Sequence, residues 1–173
     1  VFVNKEKVSQ IKENWLSVTW EELATFIGPN AQSYQPSWQK QHTNWKEKGY
    51  GGSGLSWSWP ALIPPLGIPW AVARKNWLFV GLMVGLIVFV NVIAFIWPKS
   101  PDFTFMAFLI PMIAKSMYIQ HAVAQVARIK KETPAGPARD AALTSAGGLN
   151  MKHGYIAGAV CAVFLLLMVL IAI

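Results

Sequence analysis

Cysteine is almost missing from this chain. The single one, Cys161, excludes an intramolecular disulfide and any cysteine-built metal site. Histidine occurs three times, at His42, His121 and His153, with no two at ligand spacing on one helix. Acidic residues number 8 against 15 lysines and arginines, and none falls inside an apolar block, so no path of intramembrane carboxylates exists to carry protons. No serine stands in a nucleophile-elbow context. The glycine-rich run GYGGSG, Gly49 to Gly54, lacks the Lys-Ser/Thr helix start that a phosphate-binding loop needs. The basic residues form no soluble recognition helix, which argues against nucleic acid. Catalysis, a metal, a small-molecule substrate and a bound cofactor are therefore not expected. The first 50 residues are polar and contain no h-region, so no cleavable signal peptide is expected, and Val1 in place of Met leaves the true start open.

What the chain has instead is apolar residues: 54% of the total, gathered into three blocks rather than spread periodically. The first, Trp77 to Trp97, carries no charge and only Asn91 as a strongly polar residue, the pattern of a helix crossing a bilayer core of about 30 Å. Tryptophans at both ends suit the two interfaces, and Pro98 stops the helix. The second block is apolar only from Phe103 to Ala114, about 18 Å as a helix. It reaches spanning length if the helix continues past Lys115, whose ammonium would snorkel toward the interface near Tyr118. Pro111 would kink it, and a helix continuing to Lys131 would leave the membrane with Val123, Val126 and Ile129 on one side. The third block, Tyr155 to Ile173, is uncharged and about as long as the first. The expected fold is an all-α membrane protein with three transmembrane helices and a small N-terminal soluble helical region.

Five segments follow in order. Residues 1–54 are a soluble helical region ending in the flexible glycine run. In it, Thr19-Trp20-Glu21-Glu22 matches a capping box, Gly28-Pro29 ends that helix, and Val8, Ile11, Trp15 and Leu16 give helical spacing to an earlier one. Tyr34, Trp38, His42 and Trp45 are spaced by four, four and three, which puts them on one face of a helix from Pro36 to Lys48. That face packs on the protein, lies among head groups, or serves a partner through Tyr34, Trp38 and Trp45. Residues 55–76 contain Pro60, Pro64, Pro65 and Pro69, which speaks against a regular helix. They are expected to lie in the lipid interface with Trp57, Trp59 and Trp70, while Arg74 and Lys75 reach lipid phosphates as the chain turns into the first span. Residues 77–131 form a hairpin of spans one and two, with Trp77, Trp97, Lys115 and Tyr118 at the interfaces. Residues 132–153 are an exposed connection with a helical turn at Ala138 to Thr144, and residues 154–173 are span three.

Charge sets the orientation. With the N-terminus inside, Arg74, Lys75, Lys115, Arg128, Lys130, Lys131, Arg139 and Lys152 all lie inside near spans and only Lys99 outside. The expected topology is therefore N-terminus cytoplasmic and C-terminus periplasmic.

A group of motifs also has a familiar order. Phe26-Ile27-Gly28-Pro29-Asn30 is followed by Tyr34 and Trp38, then Trp57-Ser58-Trp59-Pro60-Ala61 with Pro64, then Trp70 with Arg74-Lys75, then Tyr118 with His121. Over roughly residues 24–130 this resembles a bacterial family of small inner-membrane proteins known only as a domain of unknown function. The chain departs from that pattern at Ser58, where an Asn is usual, at Ala73, where an aromatic often precedes Arg-Lys, and in the third span, outside the shared core. The resemblance implies a bacterial inner-membrane location and no reaction.

Gly81-x-x-x-Gly85 and Gly154-x-x-x-Gly158 have the spacing that lets helices approach closely, so spans one and three are expected to pack on each other or on a partner. His121, or His153, could ligate a haem or pigment at the membrane boundary, but an interfacial histidine making ordinary hydrogen bonds is the preferred reading; pigment or haem contact would come only through a partner. The expected role is a non-catalytic accessory or scaffold subunit of a larger integral membrane complex, respiratory, photosynthetic or otherwise energy-converting, in contact with lipid head groups. The alternatives are a small transporter or channel component, or a cofactor-bearing membrane subunit.

Overall fold

The computed structural model describes residues 5–51, 64–97 and 106–172, and all regular structure among them is helical. In order come α1 (Lys5–Ser17), α2 (Trp20–Ile27), a 3-10 turn (Ala31–Tyr34), α3 (Gln35–Lys48), α4 (Pro64–Ala73), α5 (Trp77–Ile96), α6 (Met106–Glu132), α7 (Pro137–Ala146) and α8 (Met151–Ala172). They divide into two compact units, both discontinuous in sequence: Val1–Ser56 with Lys115–Leu149, and Trp57–Ala114 with Asn150–Ile173. The sequence alone suggests five consecutive segments. The chain instead folds its polar start onto the region after Lys115, and α6 contributes to both units.

In the first unit, α2 starts as the capping box requires. The Thr19 hydroxyl accepts from Glu22 N–H at 3.4 Å, and the Glu22 carboxylate accepts from Thr19 N–H at 3.0 Å. Gly28, at φ 82, ends the helix. Gly49, at φ 72, ends α3 in the left-handed region that only glycine enters cheaply. The glycine run that follows is tied down at its start, since Asn44 Nδ2 donates to Gly51 O at 3.3 Å. The rest of that run lies outside the described residues.

The core of this unit joins Trp15, Val18, Leu23, Phe26, Ile27, Tyr34, Trp38 and Trp45 with a stripe on α6: Tyr118, Ile119, Ala122, Val123, Val126, Ala127 and Ile129. That stripe repeats at three and four residues, one face of a helix. Val123, Val126 and Ile129 do share a side, and that side is buried in protein. α7 docks on α2, its Leu143 is buried, and just beyond its end Gly148 N–H donates to Phe26 O at 2.7 Å.

The second unit corrects the expectation for the proline-rich stretch. Residues Pro64–Ala73 form a helix despite Pro64, Pro65 and Pro69. Pro64 and Pro65 open it, where an N–H has no intrahelical acceptor anyway, so only Pro69 removes a bond, the one to the carbonyl of Pro65. Packing offsets that loss, for α4 lies against both α5 and α8. It ends in a Schellman motif: Asn76 N–H donates to Ala71 O at 2.9 Å and Lys75 N–H to Val72 O at 3.0 Å. Lys75 takes the left-handed position at φ 55, where glycine is usual.

α5 is the described helix long and apolar enough to cross a membrane, and three such helices were expected. α6 turns polar at Lys115, which shortens its apolar run, and some side chains of α8 lie outside the described residues. Within α5 only Phe79 and Met83 are buried, whereas the core helix of a soluble protein is covered on most sides.

Candidate functional site

Two surfaces and one charged cluster carry the chemistry. The first surface is α5, where Leu78, Leu82, Val84, Val88, Phe89, Val92, Phe95 and Ile96 are exposed. The second is α8, exposing Tyr155, Ile156, Val160, Val163, Phe164, Leu166, Leu167 and Leu170. Patches of this size on a protein in water would drive association.

Both helices start alike. Asn76 caps α5, its Oδ1 accepting from Phe79 N–H at 3.3 Å, and Asn150 Oδ1 accepts from His153 N–H at 3.2 Å at the start of α8. The two starts lie together, because Asn150 N–H donates to Ala73 O at 2.8 Å, three residues before Asn76.

The glycine motifs do not meet as expected. A methyl placed on Gly154 would come within 2.9 Å of Ala73 Cβ, and one on Gly158 within 3.9 Å of Pro69 Cγ. The small face of α8 is thus filled by α4, not by α5. A methyl on Gly81 or Gly85 would meet nothing within 4 Å among the described residues. At 100° per residue these two glycines lie opposite buried Phe79 and Met83, which explains why they stay uncovered.

Of the readings offered for the aromatic face of α3, packing on the protein is the one the structure shows, and Tyr34, Trp38 and Trp45 are buried rather than open to a partner. Trp38 stacks on His42 with ring centroids 4.8 Å apart and lies 5.5 Å from Trp20. Tyr34 packs at 5.2 Å on Tyr118. Trp45 is buried too. Tyr118, expected at the lipid interface, is 0% exposed, and Arg74, expected to reach phosphates, is 4% exposed. Tyr118 is covered in part by the Tyr34 ring from more than eighty residues earlier, a contact that spacing along the sequence does not show.

Of the other interface residues, Trp77 and Trp97 are exposed, while Lys75 is half-buried, as is Trp70, whose ring meets Phe79 edge-on at 5.7 Å. Lys115 donates to Ser33 O at 3.4 Å and lies 5.8 Å from the centre of the Tyr34 ring. Trp57 and Trp59 lie outside the described residues.

Burial lowers the pKa of His121. It also lowers that of His42, helped by the charge of Lys46. Among the described residues no three His, Cys, Asp or Glu side chains cluster to hold a metal.

The charged cluster is what sequence reasoning missed. Glu22, already part of the cap, accepts from Lys130 Nζ at 2.7 Å and faces Arg139 Nη1 at 3.5 Å. Lys130 Nζ also donates to Ser17 O at 2.6 Å, and Arg139 donates twice to Thr133 O. α2, α6 and α7 are thereby clasped by one carboxylate. Burial pushes that carboxyl up, but the Lys130 and Thr19 hydrogen bonds and the charges of Lys130 and Arg139 hold it below its ordinary value. A second polar link is buried: Ser116 Oγ donates to Gln41 Oε1 at 3.4 Å, and Gln41 is 0% exposed. The capping spacing points to Glu22, but nothing local announces partners more than a hundred residues away. Every group in the clasp is mutually satisfied, an arrangement suited to holding helices rather than to turning over a substrate.

No family model, curated protein or solved structure matches this chain.

Proposed function

We propose that the chain is a three-span membrane protein that acts as a non-catalytic accessory or scaffold subunit of a larger membrane complex. The carrying observation is that its apolar residues are left uncovered along α5 and α8, while Glu22, Lys130 and Arg139, the half-buried charged cluster, hold its own helices together. Hydrocarbon is the environment in which two such helices are stable without a water-facing polar face.

Two independent features support three crossings. Glu22 of α2 is clasped to Lys130 and Arg139, so α1 to α3 and the part of the chain from Lys115 through α7 share one side of the bilayer, and the chain between them crosses an even number of times. The starts of α5 and α8 meet at Ala73 and so share a side as well. Out through α5, back through the first part of α6 and out through α8 satisfies both. Lysine and arginine around the shared unit make that side cytoplasmic, and the bacterial inner membrane is the membrane implied by the resemblance described above.

The partner is a larger integral membrane complex, met through helix faces such as the open Gly81 and Gly85 side of α5. Extraction in a mild detergent, followed by sizing and mass spectrometry, tests this. A stoichiometric large complex that loses integrity when the gene is deleted is the expected result. A lone chain that moves solutes when reconstituted into vesicles would replace this role with transport.

A further inference from the structure

Membrane interface is the location the sequence suggests for the proline-rich stretch before the first span, but the way α4 sits on α8 is incompatible with a helix lying flat there. Four contacts define the packing. Asn150 N–H donates to Ala73 O at 2.8 Å. A methyl on Gly154 would meet both Ala73 Cβ at 2.9 Å and Pro69 O at 3.5 Å, and one on Gly158 would meet Pro69 Cγ at 3.9 Å. As α4 advances from Pro69 to Ala73, its neighbours on α8 retreat from Gly158 to Asn150. The two helices are antiparallel, their contacts run about 12 Å from Asn150, just before α8, to Gly158, two turns into it, and α4 packs on α8 more extensively than any other described pair of helices pack on each other. A helix in the membrane plane would cross a spanning helix and touch it over about one turn, roughly 5 Å.

From this we infer that α4 is a re-entrant half-helix: its Pro64 end lies within the hydrocarbon beside α8, and it climbs back to the cytoplasmic face at Arg74 and Lys75, where α5 begins its own crossing. The proposal rests on the membrane reading of α5 and α8. Its sequence fits the task. α4 carries no charge, it is about 15 Å long, half a bilayer core, and the basic pair comes only after its last turn. Gly154 and Gly158 provide the groove that lets a second backbone lie against a spanning helix, and Pro69 fills its deeper end. Irregular or broken backbone at membrane depth is tolerated where protein covers it, and α8 and α5 cover α4 on two sides.

Depth measurement on the whole chain tests this. In a Cys161→Ser background, reconstituted into phosphatidylcholine–phosphatidylglycerol vesicles, single spin labels are placed at Ile68→Cys, Lys152→Cys and Val88→Cys. Collision with oxygen against a water-soluble nickel chelate then gives the depth of each. Ile68 is seven residues before Lys75, so its label is expected about 10 Å deeper than that at Lys152, with Val88 deep as well. Trp70→Cys, expected between Ile68 and Lys152, serves if the Ile68 variant fails to fold. A label at 68 or 70 level with 152, while 88 is deep, overturns the re-entrant helix and leaves the spans standing. A water-exposed label at 88 overturns both.

Discussion

Gly154→Ala should destabilise the second unit, whereas Gly81→Ala should not. The added methyl at position 154 would lie 2.9 Å from Ala73 Cβ, against an optimum of about 3.5–4.0 Å for two carbons. α4 and α8 must then part by about 0.6–1 Å. That movement also stretches the 2.8 Å bond from Asn150 N–H to Ala73 O. Overpacking of this size costs about 1–3 kcal/mol. In lipid the loss is not recovered by hydrophobic burial elsewhere, since acyl chains are as apolar as the side chains they replace. At position 81 a methyl meets nothing within 4 Å among the described residues, so only the small preference of helices for alanine remains. The two variants are compared in mild-detergent micelles by titration with dodecyl sulfate, following circular dichroism. A midpoint lowered for Gly154→Ala and unchanged or raised for Gly81→Ala is expected. Equal shifts, or the larger loss at position 81, would refute the seating of α4 on α8.

Three further outcomes follow from the first unit and the corner before α5. Glu22→Gln should cost about 2–3 kcal/mol, because Lys130 and Arg139 lose a charged partner while staying largely buried; chemical denaturation of the purified protein measures it. In the wild type, stability should fall as pH drops below 6.5, where His42 and His121 become protonated in the unfolded chain but resist protonation when folded, and fall again below 4.5 as Glu22 is protonated. Unfolding midpoints across pH should show both steps, and Glu22→Gln should lack the lower one. Gly147→Ala should lose about 2–4 kcal/mol and release α7, since its methyl would come within 2.7 Å of the Phe26 carbonyl carbon and closer still to its oxygen; faster proteolysis between α6 and α8 would show it. Lys75→Gly should raise thermal stability by up to about 1 kcal/mol by relieving the left-handed backbone at φ 55.

The helices were legible wherever a local rule governs them. Thr19 and Glu22 announce the start of α2, Gly28 its end, and the uncharged run from Trp77 gives α5 to within a residue. Local rules fail where packing overrides them. Three prolines speak against a helix at Pro64–Ala73, yet two of them occupy its first turn and the third is held against Gly158. The same limit applies to contact faces. Tyr34, Trp38 and Trp45 do share one side of α3, but whether that side meets solvent, lipid or protein depends on α6, some eighty residues later. Glycine spacing likewise marks a close approach without saying by what. On α8 the occupant is α4, reached through the chain's own reversal at Lys75.

Labelling from either side of the bilayer tests the membrane architecture most directly. In the Cys161→Ser chain, single cysteines at Lys48, Lys131 and Lys99 are exposed to a membrane-impermeant maleimide in right-side-out and inverted vesicles. Positions 48 and 131 should react only in inverted vesicles and position 99 only in right-side-out ones. Reaction of 48 and 131 from opposite sides would contradict the clasp of Glu22 with Lys130 and Arg139, and reaction of all three from one side would contradict the crossing by α5.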